Sequence, residues 1–154
     1  AAQGFGRATH FDVDADSFSS RAAWIWHGVE PEDGKIGTSG LGGGAAGQEI
    51  DRYDTRLGSP EHAVVLASAT QFGPDMVRTK EEFEGSVDVT LPDPYVRGDV
   101  IFYETPGGGA VFSASSISWF GALARNGYDN DIAQMTTNVV RRFADPAPFE
   151  PPAT

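Results

Sequence analysis

Asp99-Val100-Ile101-Phe102-Tyr103-Glu104-Thr105, followed by Pro106-Gly107-Gly108-Gly109 and Ala110-Val111-Phe112-Ser113-Ala114, decides the fold. The first run is rich in β-branched and aromatic residues, the second is turn-forming, and the third returns to apolar character. That order predicts a β-hairpin. Upstream, Ala63-Val64-Val65-Leu66-Ala67-Ser68-Ala69 is a nearly continuous apolar run of strand length, the pattern of a strand buried on both faces. Arg21-Ala22-Ala23-Trp24-Ile25-Trp26-His27-Gly28-Val29 reads as a further strand closed by Gly28 and Pro31. Downstream, Asp129-Asn130-Asp131 offers helix caps. Ile132, Met135, Val139, Val140 and Phe143 recur as one helical stripe, and Arg141 and Arg142 suit the negative end of that helix. Strands with a C-terminal helix are read as an α/β architecture.

Three regions follow. Residues 1–20 are polar and aperiodic and read as an irregular connector. Residues 21–145 form the α/β segment. Residues 146–154 hold four prolines and read as an extended surface tail. Residues 30–48 are a long Gly-rich loop, of a kind often functional. Arg78-Thr79-Lys80-Glu81-Glu82-Phe83 suggests a short helix or exposed loop, and Pro92 and Pro94 a linker.

The chain has 154 residues, enough for one core, and a formal net charge of -11. That charge argues against nucleic acid or an anionic membrane as partner. There are no cysteines, which excludes disulfides, thiolate metal sites and a Cys nucleophile. No apolar run approaches membrane-spanning length and no secretory leader is visible. A cytoplasmic location is expected. The chain begins Ala1-Ala2-Gln3, so a processed product, an excised domain or a piece of a longer polypeptide is expected.

Gly42-Gly43-Gly44-Ala45-Ala46-Gly47-Gln48-Glu49-Ile50-Asp51-Arg52 carries the strongest chemical signal. Small residues let a backbone turn tightly or approach something closely, and are read here as loop, not core. In an extended stretch Glu49 and Asp51 share one face, with Gln48 and Ile50 on the other. Two such acids suit general acid–base work. The structural alternative is an acid that pairs, Asp51 with Arg52 or Arg56, or that caps a turn. His27 stands between a predicted strand and a loop, a position that can carry function, although packing is the commoner role for a lone histidine. The three histidines show no metal-ligand spacing. Ser113, Ser115, Ser116 and Ser118 lack a Gly-x-Ser-x-Gly elbow, so capping and packing are favoured for them. The Gly-rich run lacks the Lys-Ser/Thr of a phosphate loop. Trp24, Trp26 and Trp119 are read as core or interface residues.

Three stretches in this order resemble the C-terminal region of the large (β) subunit of the N,N-dimethylformamidase family. They are residues 43–52; Gly107-Gly108-Gly109-Ala110-Val111-Phe112-Ser113; and Ser116-Ile117-Ser118-Trp119 with Tyr128-Asp129-Asn130-Asp131 and Asn138-Val139-Val140-Arg141-Arg142-Phe143. The resemblance implies a layered sheet with flanking helices of the class I glutamine-amidotransferase-like kind. It implies hydrolysis of small N-alkyl formamides to amine and carboxylate by iron-activated water. The mononuclear iron would be held by two tyrosines and a glutamate upstream, so no metal ligand is assigned here. Glu49 maps onto the family's water-activating base, with Asp51 and His27 as supporting or pocket residues. The implied partners are the rest of the large subunit, a small subunit and a small amide, in an oligomer. The isolated chain is expected to be inactive. The alternatives are a non-catalytic assembly module and a carbohydrate-related hydrolase or binding module.

Overall fold

A computed structural model describes residues 1–4, 6–78 and 93–152. The strands in chain order are β1 (Ala2–Gln3), β2 (Phe11–Val13), β3 (Lys35–Ile36), β4 (Glu49–Ile50), β5 (Val64–Ala69), β6 (Val77–Arg78), β7 (Gly98–Glu104) and β8 (Ala110–Ser113). Two helices follow, α1 (Ser118–Leu123) and α2 (Asp131–Ala144). The strands form a five-stranded sheet of order β3-β2-β5-β7-β8 and a three-stranded sheet of order β4-β1-β6.

The predicted hairpin is present: β7 pairs antiparallel with β8, from Ile101 opposite Ser113 to Glu104 opposite Ala110. The Thr105 amide closes the turn on the Gly109 carbonyl at 2.8 Å. β5 lies centrally between β2 and β7. Its Leu66, Ala67 and Ala69 are fully buried, as its apolar run requires.

The α/β expectation gives way to an α+β arrangement, because every pair among the described strands is antiparallel. A parallel pair needs a crossover connection, usually a helix. Both α-helices come after β8, so neither connects two described strands.

Residues 1–20 also depart from the connector reading. They contain β1 and β2, and Ala2, Ala8 and Phe11 are buried in the main core. The strand predicted over residues 21–29 is instead a 3₁₀ turn over Ala23–Trp26. Ala22, Ile25 and Trp26 are buried together, which is helical spacing and not alternation. Its carbonyls are covered from α2: the Asn138 side-chain amide donates to the Ile25 and His27 carbonyls at 2.9 and 2.7 Å. The expectations for residues 79–83 and Pro92 lie outside the described residues.

Asn130 caps α2 as predicted, its Oδ1 accepting from the Ala133 amide at 2.9 Å. Its Nδ2 also donates to the Leu123 and Arg125 carbonyls at 3.1 and 2.7 Å, so one side chain joins the end of α1 to the start of α2. Asn130→Ala is expected to destabilise the chain by about 1–2 kcal/mol, measured by chemical denaturation. Asn130→Asp keeps the cap acceptor, loses both donors and falls in between.

The apolar stripe of α2 is narrower than its spacing suggests. Ile132, Met135 and Val139 are buried, but Val140 and Phe143 are exposed. The Pro-rich tail explains part of this. Phe149 donates its amide to the Gly108 carbonyl at 2.9 Å, stacks edge-on against Phe143, and lies 3.8 Å under the Arg142 guanidinium. Trp26 and Trp119 are core residues of this chain, and Trp24 packs against that core, so none is a free interface aromatic. The Trp119 indole donates to Thr136 Oγ1 at 3.1 Å, tying α1 to α2.

Candidate active site

β4 carries Glu49, and its neighbours hold the strand from both sides. Gln3 of β1 lies opposite Glu49, and Ala2 opposite Ile50. On the other side the Ile117 amide donates to the Glu49 carbonyl at 3.1 Å, and the Asp51 amide donates to the Ser115 carbonyl at 2.8 Å. Ile50 is buried while Glu49 and Asp51 are exposed, so the predicted alternation holds over these three residues. Gln48 departs from it. It is exposed and sits at φ +64°, a left-handed conformation that L residues seldom adopt.

The Gly-rich run that leads into β4 is core, contrary to its reading as a loose approach. Gly44, Ala45, Ala46 and Gly47 are all buried. The run is laced to the N-terminal segment: the Thr9 amide donates to Ala46 O at 2.7 Å and the Ala46 amide to Thr9 O at 2.9 Å. A Cβ on Gly44 would overlap the Thr9 carbonyl oxygen, and one on Gly47 would sit 2.8 Å from Ala8 Cβ. These glycines are there for backbone-to-backbone packing, where a side chain has no room. Ser116 completes the attachment. Its hydroxyl accepts from the Gly47 amide at 2.9 Å, donates to the Gly47 carbonyl at 3.1 Å, and accepts from the Ser118 amide at 3.1 Å. The structural role favoured for these serines holds for Ser116.

Glu49 opens into a cleft of about 410 Å³ lined by Gln3, Gly4, Gln48, Asp75, Val77 and Ile117. Its carboxylate makes no hydrogen bond or ion pair among the described residues. Val77 and Ile117 supply apolar wall, and Gln3 and Gln48 supply amides. This composition fits a small neutral molecule with one polar group better than a large or anionic one.

Asp75 is a further residue lining this cleft, and no sequence pattern marked it out. The sole local signal is its glycine surroundings: a Cβ on Gly6 or Gly73 would collide with its carboxylate. Val77 and Ile117 are likewise brought in only by sheet pairing and by the segment entering α1. Asp51 shares the outward face of Glu49 but is not among the cleft residues. Nor is His27, whose side chain is exposed and whose carbonyl accepts from Asn138 and Gln134 of α2. The structure therefore does not bring the three predicted residues together around one cleft.

Asp51 does not take the arginines offered to it by the structural alternative; Asp54 does. Arg56 reaches Asp54 at 2.9 and 2.7 Å, and Arg52 reaches it at 3.2 Å. The side-chain hydrogen bonds from Arg56 hold the Asp54 carboxyl well below the usual carboxylate range. The Arg56 amide and the charges of Arg56 and Arg52 lower it further, against an opposing effect of burial. Asp54 in turn raises the Arg56 guanidinium. A carboxyl whose folded-state pKa lies below its unfolded one contributes stability at pH values above the unfolded value, about 4. That contribution is lost as pH falls through the folded value. Thermal melts from pH 8 to 3 are expected to show the parent above Asp54→Asn at neutral pH, with the gap narrowing below about pH 4. A gap that widens on acidification would refute this.

Asp99 anchors the strand exit. Its amide donates to the Asp51 carbonyl at 3.0 Å. Its buried carboxylate accepts from Ser68 Oγ at 2.7 Å, the Tyr53 amide at 2.8 Å and Arg97 Nε at 2.9 Å. β4 is thereby tied to the five-stranded sheet, and Glu49 stands on fixed backbone.

Among the described residues no group of three or more His, Cys, Asp or Glu could hold a metal ion. No helix among them is long and apolar enough to cross a membrane.

Comparison with known proteins yields concordant matches. A family model described as "N,N-dimethylformamidase beta subunit-like, C-terminal" matches residues 1–130. The N,N-dimethylformamidase beta subunit of Paracoccus aminophilus is 41% identical over 151 residues, covering 95% of this chain and 20% of that protein. The N,N-dimethylformamidase beta subunit of Alcaligenes sp is 40% identical over 150 residues, covering 94% of this chain and 20% of that protein. The chain spans about a fifth of the length of these relatives.

Proposed function

The chain belongs to the N,N-dimethylformamidase beta subunit-like, C-terminal family, and from that premise we propose that it forms one wall of the active site of an amide hydrolase. The substrates are small N-alkyl formamides and related amides, and Glu49 is the general base. The observation that carries this reading is the Glu49 carboxylate, which makes no hydrogen bond or ion pair among the described residues and borders a cleft walled by Val77 and Ile117.

In the proposed reaction a water oxygen attacks the amide carbonyl carbon while Glu49 takes the water proton. The tetrahedral intermediate breaks its C–N bond as the nitrogen gains a proton. The products are amine and carboxylate. Val77 and Ile117 would receive N-alkyl groups, and the Gln3 and Gln48 amides stand ready to orient the polar end. Asp51, one residue beyond β4, would support the Glu49 backbone and not touch substrate. His27, outside the cleft, would act through the subunit that surrounds it.

The described residues do not by themselves compose an iron site. We keep the mononuclear iron implied by the resemblance as held by residues upstream of this chain, as the family pattern implies. There it would act as a Lewis acid that acidifies water. The glutamine-amidotransferase-like layered sheet implied by the resemblance is proposed for the full subunit, with this α+β unit as a part of it. The whole enzyme is proposed to be a cytoplasmic oligomer with a small subunit, and the isolated segment to be inactive.

The test is amine release from dimethylformamide by the full-length subunit in its native assembly, with Glu49 and with Gln in its place. Loss of release with substrate binding retained supports the base. Equal release removes Glu49 from the mechanism.

A further inference from the structure

We propose that the apolar face formed by Leu41, Ile117 and Phe120 is the docking surface for the remainder of the same subunit, seated so that it closes the rim of the Glu49 cleft. These side chains are 69%, 51% and 81% exposed. They are adjacent. Phe120 stands one turn on from Ile117, its amide donating to the Ile117 carbonyl at 3.2 Å. The Leu41 amide donates to the Gly121 carbonyl at 3.1 Å. A Cβ on Gly121 would sit 3.0 Å from Leu41 Cβ, so glycine there lets the loop lie directly on α1.

The face is also held in place. Arg125 Nη2 donates to the Gly40 carbonyl at 2.8 Å on one side of Leu41, and Ser116 grips Gly47 on the other. These hydrogen bonds fix the backbone beneath three large, exposed apolar side chains. Such a preformed patch in water calls for a cover. Two other exposed aromatics are partly covered within the chain: Phe143 has the tail residue Phe149 against it, and Tyr95 has the Arg52 and Arg78 guanidiniums over its ring.

Two facts select the occupant. The relatives carry about four-fifths of their length outside the matched region. A covalently tethered domain meets the face at an effective concentration that a separate chain does not reach. Second, Ile117 belongs both to this face and to the cleft, so whatever covers the face also borders Glu49. This docking rests on the reading that the chain is one segment of a longer subunit, and it does not require Glu49 to be a base.

Hydroxyl-radical footprinting of the unmodified full-length subunit, read by mass spectrometry, tests it. Leu41 and Phe120 are expected to oxidise about tenfold or more slowly than in the unfolded subunit. Rates equal to the unfolded ones overturn the docking. Protection that vanishes when dilution separates the subunit from other chains assigns the face to a second molecule, and also overturns it. Thiol labelling of Phe120→Cys is the second measurement: slow labelling in the native subunit supports the docking, and labelling at the unfolded rate refutes it. Full activity in Glu49→Gln would remove the proposed base and leave the expected footprint unchanged.

Discussion

Glu49→Gln in the full-length subunit is expected to lower amide turnover by about 10²- to 10⁴-fold, the usual contribution of a positioned general base. The substitution keeps size and polarity and removes only the proton acceptor. No described side chain depends on this carboxylate, because its native contacts are made by backbone: the Glu49 carbonyl to the Ile117 amide, and the strand pairing with β1. The fold and the melting temperature should therefore stay at parental values while kcat falls. KM should move little, since the cleft walls are untouched. Asp51→Asn is the matched control: that residue lies on the same outward face but outside the cleft, and its turnover should remain within a few-fold of the parent. An Asp51→Asn enzyme as impaired as Glu49→Gln would move the base to the wrong residue and sink the assignment.

Gly44→Ala is expected to destabilise the 154-residue chain by about 3 kcal/mol, a large part of the total stability of a domain of this size. The added methyl would meet the Thr9 carbonyl oxygen. That oxygen has no room to retreat, because it accepts from the Ala46 amide at 2.9 Å while the Thr9 amide donates back to Ala46 at 2.7 Å. Relief requires parting the run from the N-terminal segment, which would also displace β4. The chemically identical change Gly107→Ala places its methyl in open space at the hairpin turn and should be nearly neutral. Chemical denaturation of both variants separates crowding from the general cost of losing a glycine. Near-equal midpoints would show that the packing against Thr9 is not tight.

The features legible in the sequence are those whose causes lie within a few residues. The hairpin at 98–113 follows from apolar strands around a Gly-rich turn, and the α2 cap from Asn130 placed three residues before the amide it accepts. The Glu49–Ile50–Asp51 alternation follows from extended backbone. Motif order pointed to the family, and the matches over residues 1–130 agree. The misread features are long-range. Residues 1–20 look polar and aperiodic, yet β1 supplies the central strand between β4 and β6, pairing positions nearly fifty residues apart. Trp24-Ile25-Trp26 has strand composition, but amide donors from α2 satisfy its carbonyls and stabilise a 3₁₀ turn.

The sequence by itself determined the family, the hairpin and the capped helix, and it put forward Glu49 as the residue to test. Only the tertiary structure decided what the Gly-rich run is for and what faces Glu49. Glycine in sequence signals only permission, and the same permission serves a flexible loop or a backbone packed against Thr9. The choice is made by whatever segment arrives on the other side. Asp75, Val77 and Ile117 reach the cleft for the same reason: each is placed by pairing or packing with distant chain, where local patterning carries no information.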